Sequence, residues 1–165
     1  WDGYVLDAAS WRHEFLDYDY IGASWPQFDD GYDVGNGGFS LRSKRLMDLC
    51  RDRAFQFSHP EDVAIGRLNR DWLEAKGMRF ASTALADRFS AERRGDPAQT
   101  FGFHGVWHMP GILGRDAFWD LYRVLADRTS LGPDFFAIAR SMVSWPDGGK
   151  RALRMAVDFV RDRAK

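Results

Sequence analysis

The sequence predicts an α/β core followed by a helical extension. Strand-type runs, such as Tyr18 to Ile21 and Phe39 to Ser43, alternate with helical ones. Glycine-bearing turns separate them. Beyond residue 113 the strand runs stop and amphipathic helical spacing takes over. The expected organisation is a core over residues 1–113, with an extension over residues 114–165 packed on it. At 165 residues the whole chain is on the scale of one domain.

In chain order, Trp1 to Leu6 reads as a strand end and a turn. Ala8 to Leu16 reads as a short helix capped by Asp7 or Ser10, with Trp11, Phe15 and Leu16 inward. Tyr18 to Ile21 is a strand that ends at Gly22. Asp17 and Asp19 share one face of it and have a spacing that metals can use. Gln27 to Asp33 is polar and acidic and reads as a mobile loop. Ser43 caps a helix with Leu46, Leu49 and Cys50 on its apolar side. Pro60 to Lys76 reads as one longer helix, stopped by Gly77. Met78 to Ala81 is a short strand and Thr83 to Phe89 a brief helical element. Ser90 to Gln99 reads as an exposed loop, and Thr100 to His108 returns to strand-like alternation. Helices follow over 116–127, 134–143 and 150–163, with Ser144 to Gly149 breaking the last two.

Composition excludes several classes. A hydrophobic share of 45% argues against disorder. A net charge of −1 provides no general attraction to nucleic acid or to an anionic membrane. No apolar run is long enough to span a bilayer. The single cysteine, Cys50, excludes an internal disulfide and fits a reducing, cytoplasmic setting. The aromatic share is high at 15%, which serves core packing and also suits the C–H faces of sugars.

The most informative stretch is Val34 to Ser43 (VGNGGFSLRS). Three glycines around Asn36 let backbone approach something closely or take up positive φ. It is neither the phosphate-loop pattern nor the Gly-x-Gly-x-x-Gly dinucleotide fingerprint. Downstream, Glu61 and Asp62 stand in a first helical turn, where the dipole favours negative charge. Acids there are equally an ordinary helix start. His104 lies between Phe103 and Gly105, and neutral imidazole is a common metal ligand; His108 is a weaker candidate. No Gly-x-Ser-x-Gly elbow is present, which disfavours an α/β-hydrolase. Residue types alone leave two-carboxylate glycoside hydrolysis open.

Three phrases, FLDYDYIGASW (Phe15 to Trp25), NGGFSLRS followed by EDVAIG, and TFGFHG (Thr100 to Gly105), resemble the DUF5672 family, which is similar to GT-A type glycosyltransferases. The resemblance covers roughly residues 1–110. It implies a partial GT-A-like fold, Rossmann-like with a mixed sheet. It implies transfer of a sugar from a nucleotide-sugar donor to a glycan or other hydroxyl acceptor, with inversion and Asp62 as the base. Glu61 would orient the acceptor or support Asp62. Trp25, Asn36, Gly37, Gly38 and Phe39 would hold substrate. Asp2, at a strand end, and His104 would hold a divalent cation, Mn2+ or Mg2+; only Asp2 represents the usual Asp-x-Asp. The opening on Trp1-Asp2-Gly3 also implies a piece lacking N-terminal nucleotide-binding strands. The competing reading is a non-catalytic carbohydrate-binding or scaffold domain derived from such an enzyme.

Overall fold

A computed structural model describes residues 1–163. The chain forms a mixed α/β structure in two compact units. Unit 1 comprises residue 1 and residues 3–104; unit 2 comprises residue 2 and the residues from 105 on.

Unit 1 carries the strands β1 (Gly3–Val5), β2 (Tyr20–Ile21), β3 (Ala23–Ser24), β4 (Val34–Gly35), β5 (Leu41–Arg42), β6 (Ser90–Ala91) and β7 (Gly102–His104). Its helices are α1 (Lys44–Leu49), α2 (Glu61–Val63), α3 (Arg70–Ala75) and α4 (Thr83–Phe89). β7 lies between β1, antiparallel to it, and β6, parallel to it, so the three form a small mixed sheet. β2 pairs antiparallel with β5, and β3 with β4.

Successive strand residues point to opposite faces, and β2 uses both. Tyr20 enters a core with Val34, Leu46, Ile65, Leu73 and Phe80. Ile21 enters a second core with Phe15, Leu85 and Phe89, lined further by Phe39 and Phe101. The two-residue strand is therefore buried on both sides.

Asp19, just before β2, is 6% exposed and is a structural clamp. One carboxylate oxygen accepts the Ser43 hydroxyl at 2.5 Å. The other accepts Arg45 Nη2 at 2.8 Å and the Arg79 N–H at 2.9 Å. Ser43 in turn caps α1 as its spacing predicts, accepting the Leu46 N–H at 3.0 Å. Asp17, by contrast, is exposed at the end of a 3-10 turn, so the two acids do not share a strand face and Asp19 alone ties the segments together.

Other expectations change in the structure. Ala8 to Leu16 folds as two 3-10 turns, Ala8–Ser10 and His13–Asp17. The single helix predicted over 60–76 is broken: α2 runs into a π-turn, Ala64–Leu68, before α3 begins. Asn69 explains the break. Its amide donates to the Ala64 and Gln56 carbonyls, both at 2.9 Å, and its oxygen accepts the Gln56 N–H at 2.8 Å. A side chain that ties in the backbone this way displaces the ordinary ladder. The loop over 27–33 is pinned: Arg67 grips Asp30 with two hydrogen bonds, at 3.1 and 2.7 Å, and its guanidinium lies 3.6 Å from the Phe28 ring centroid. The segment 90–99 opens with the buried strand β6.

Unit 2 is helical among its described residues: α5 (Met109–Leu113), α6 (Arg115–Val124), a 3-10 segment (Thr129–Asp134), α7 (Phe135–Val143) and α8 (Gly148–Arg163). The last three α-helices follow the predicted amphipathic spans closely. Phe118, Tyr122, Ile138, Met142 and Met155 fill its core. No described helix is long and apolar enough to cross a membrane.

Candidate functional site

The glycine turn is the centre of the site. Asn36 takes φ of +65°, a left-handed conformation that asparagine tolerates better than most residues. Its side-chain oxygen accepts the Gly38 N–H at 3.0 Å and closes the turn locally. Its Nδ2 is buried without a hydrogen-bond partner. Phe39 anchors the turn from behind, stacked on Phe89 with ring centroids 5.2 Å apart. The Gly37–Gly38 backbone is held outward, and Gly38 is exposed.

Both downstream acids reach this turn. Asp62 is half-buried; its Oδ2 accepts the Gly37 N–H at 3.2 Å and its Oδ1 the Val63 N–H at 2.8 Å. Glu61 Oε1 pairs with Arg42 Nη2 at 2.8 Å. Arg42 also donates to the Ser40 hydroxyl at 3.2 Å and lies 5.5 Å from the Tyr20 ring centroid. The Arg42 hydrogen bond holds the Glu61 carboxyl below the usual glutamate range. Burial pushes the Tyr20 phenol well up, and the Asp62 charge adds to the effect, so the phenol stays protonated across the working pH range.

The glycines are required by the packing. A Cβ on Gly37 would lie 1.9 Å from Glu61 Oε1, and one on Gly38 would lie 2.1 Å from His104 Nε2. The imidazole therefore sits directly against the next glycine. By chain dimensions, Asp62 Oδ2 and His104 Nε2 are no more than about 12 Å apart. His104 belongs to β7, where it pairs with Gly3, and its Nδ1 lies 3.3 Å from Glu92 Oε1. A carboxylate on one ring nitrogen fixes the orientation of the other.

The predicted residues thus fall into groups. Asn36, Gly37, Gly38, Glu61, Asp62 and His104 converge within unit 1. Trp25 does not join them as an open wall. It is 6% exposed, with its ring seated against the Gly35 and Gly66 backbones. Phe39 likewise packs inward. Gly37 and Gly38, expected to hold substrate, have their N–H groups bound by Asp62 and Asn36. Asp2 precedes β1, and its carbonyl accepts the Gly105 N–H at 2.7 Å. His108 lies in unit 2 beside Trp107. Among the described residues no group of three or more His, Cys, Asp or Glu gathers that could hold a metal ion.

Two residues of the site escape sequence reasoning. Arg42 is visible only as a polar position in a strand-like run, and nothing local announces its bond to Glu61, nineteen residues on. Glu92 lies in a stretch that reads as an exposed loop.

No curated protein and no solved structure matches the chain. A family model described as a protein of unknown function, DUF5672, matches residues 1–104, the stretch that contains the whole glycine-turn cluster, and the chain belongs to that family.

Proposed function

We propose that this chain carries the acceptor side of a GT-A type glycosyltransferase, moving a sugar from a nucleotide-sugar donor to a hydroxyl acceptor with inversion. One observation carries the reading: the Asp62 carboxylate and the His104 imidazole meet adjacent glycines of one exposed turn. Transfer of this kind needs a carboxylate to take the acceptor proton and a fixed frame that holds the two reactants in line. Asp62 takes the hydroxyl proton as that oxygen bonds the anomeric carbon. The bond from that carbon to the diphosphate breaks, and its electron pair leaves on the phosphate oxygen.

The role of the turn differs from direct substrate holding. Its Gly37 N–H fixes the Asp62 carboxylate, and its missing side chains leave room for Glu61 and His104. Arg42 holds Glu61 beside Asp62, in place to orient the acceptor. A divalent cation with Asp2 and His104 remains part of the proposal as a stabiliser of the leaving diphosphate. Among the described residues no group of three or more His, Cys, Asp or Glu assembles to hold it.

The test is nucleoside diphosphate release from a panel of nucleotide sugars, with Asp62→Asn as the control and donor binding followed by calorimetry with and without Mn2+. Turnover should fall roughly 10²–10⁴-fold in Asp62→Asn while donor binding persists. Full turnover in that variant removes Asp62 as the base. Sugar binding with no turnover on any donor favours the non-catalytic carbohydrate-binding reading. Failure to bind any nucleotide sugar, and any glycan in a parallel glycan titration, ends both.

A further inference from the structure

Apart from residue 2, unit 2 lies outside the family match, and it contains a cavity of about 530 Å³. That volume falls in the range of small-molecule pockets, roughly 300–1,000 Å³. The cavity is lined by the C-terminal end of α6, the 3-10 segment over 129–134, the start of α7 and the end of α8. Its walls are apolar and aromatic: Tyr122, Leu131 and Met155 are buried, and Phe135 stacks on Phe159 with ring centroids 4.1 Å apart. Two guanidiniums line it as well. Arg128 lies over the Tyr122 ring at 5.0 Å and pairs with Asp162 at 3.4 Å. Arg163 lies over the Phe159 ring at 4.1 Å, and among the described residues no carboxylate pairs with it.

Of the two acids at the cavity, Asp162 holds Arg128, and Asp127 accepts the Thr129 N–H at 2.8 Å. Arg163 is exposed, stands beside the aromatic wall and has no carboxylate partner among the described residues. We infer that unit 2 binds a small aromatic carboxylate, with its ring against the wall of Tyr122, Phe135 and Phe159 and its carboxylate on Arg163. An exposed arginine on a ring face offers the planar fork that carboxylates match.

The probe is 2-naphthoate, compared with 2-naphthylmethanol, which has the same ring and no charge. Both are titrated into the full chain and followed by backbone amide shifts. Naphthoate should bind saturably, with shifts confined to the segments around 126–135 and 155–163, and roughly tenfold more tightly than the alcohol. Arg163→Gln should erase that tenfold preference and leave the alcohol unaffected. Gly132 lines the cavity, and a Cβ there meets no atom within 4 Å, so Gly132→Phe should fill the space and abolish both ligands. Should Gly132→Phe fail to fold, the exposed Arg163→Gln decides alone. Non-saturable binding, shifts elsewhere, or a preference that survives Arg163→Gln overturns the inference.

Discussion

Substituting Gly38 by alanine tests the convergence of the glycine turn and the imidazole directly. The three atoms nearest to a Cβ at this position all belong to the His104 ring, at 2.1, 2.2 and 2.5 Å. These distances are well inside van der Waals contact, so the ring must move, and Glu92 holds it on the other side. Overpacking of this kind costs roughly 1–3 kcal/mol. Gly38 does not occupy a positive-φ conformation, so alanine is compatible with the backbone there. Removing glycine's freedom from the unfolded chain then returns about 0.4–1 kcal/mol. The net expectation in the wild-type background is a loss of about 1–2 kcal/mol. In a His104→Ala background the obstruction is gone, and the same Gly38→Ala change becomes neutral or stabilising by up to about 1 kcal/mol. The sign of the effect reverses, which ordinary helix or strand propensity does not produce. The assay is a double-mutant cycle by urea unfolding. Because the two units need not unfold together, the amides of β2 and β5 report the transition of unit 1. Costs that add to within ~0.5 kcal/mol would mean that the ring and the turn do not touch, and the shared site would fall with them.

Two further outcomes follow from the charged contacts of unit 1. Burial raises the Asp19 carboxyl, but the Arg45, Ser43 and Arg79 hydrogen bonds outweigh it and bring it below the usual range. Its contribution is present above the unfolded-state value of about 3.9 and is lost as pH falls through the lower folded value. Asp19→Ala should therefore cost roughly 2–4 kcal/mol at pH 7, from unpaired buried donors, and much less near pH 2; a cost independent of pH would refute the clamp. Glu61 should titrate below an ordinary glutamate by carboxyl NMR and move up toward the ordinary glutamate range in Arg42→Gln. Its side chain is 56% exposed, so the stability change should stay within about 0.2–1 kcal/mol, present at neutral pH and lost on acidification. An unmoved midpoint would show that Arg42 is not its partner.

What could be read from the sequence was what depends on near neighbours. The Ser43 cap, the helices of unit 2 and the glycine turn all follow from spacing within a few residues. The acid pair and His104 were nameable because the motif resemblance kept their order. The failures share a cause: long-range packing. Trp25 reads as an exposed wall until Gly35 and Gly66 are seen to make a notch for its ring. The 60–76 segment has a good helical period, and only the Asn69 bonds to Ala64 and Gln56 show why the ladder shifts. Glu92 and Arg42 act through partners twelve and nineteen residues away, across strands whose pairing no local pattern announces.

The β2 strand carries one consequence of its own. Its two residues serve different hydrophobic interiors, so its register cannot drift. Inserting or deleting a single residue between Asp19 and Gly22 would exchange Tyr20 and Ile21, turning a phenol into the space built for an aliphatic chain and the reverse. This short run acts as a fixed index mark against which the two cores of unit 1 are aligned.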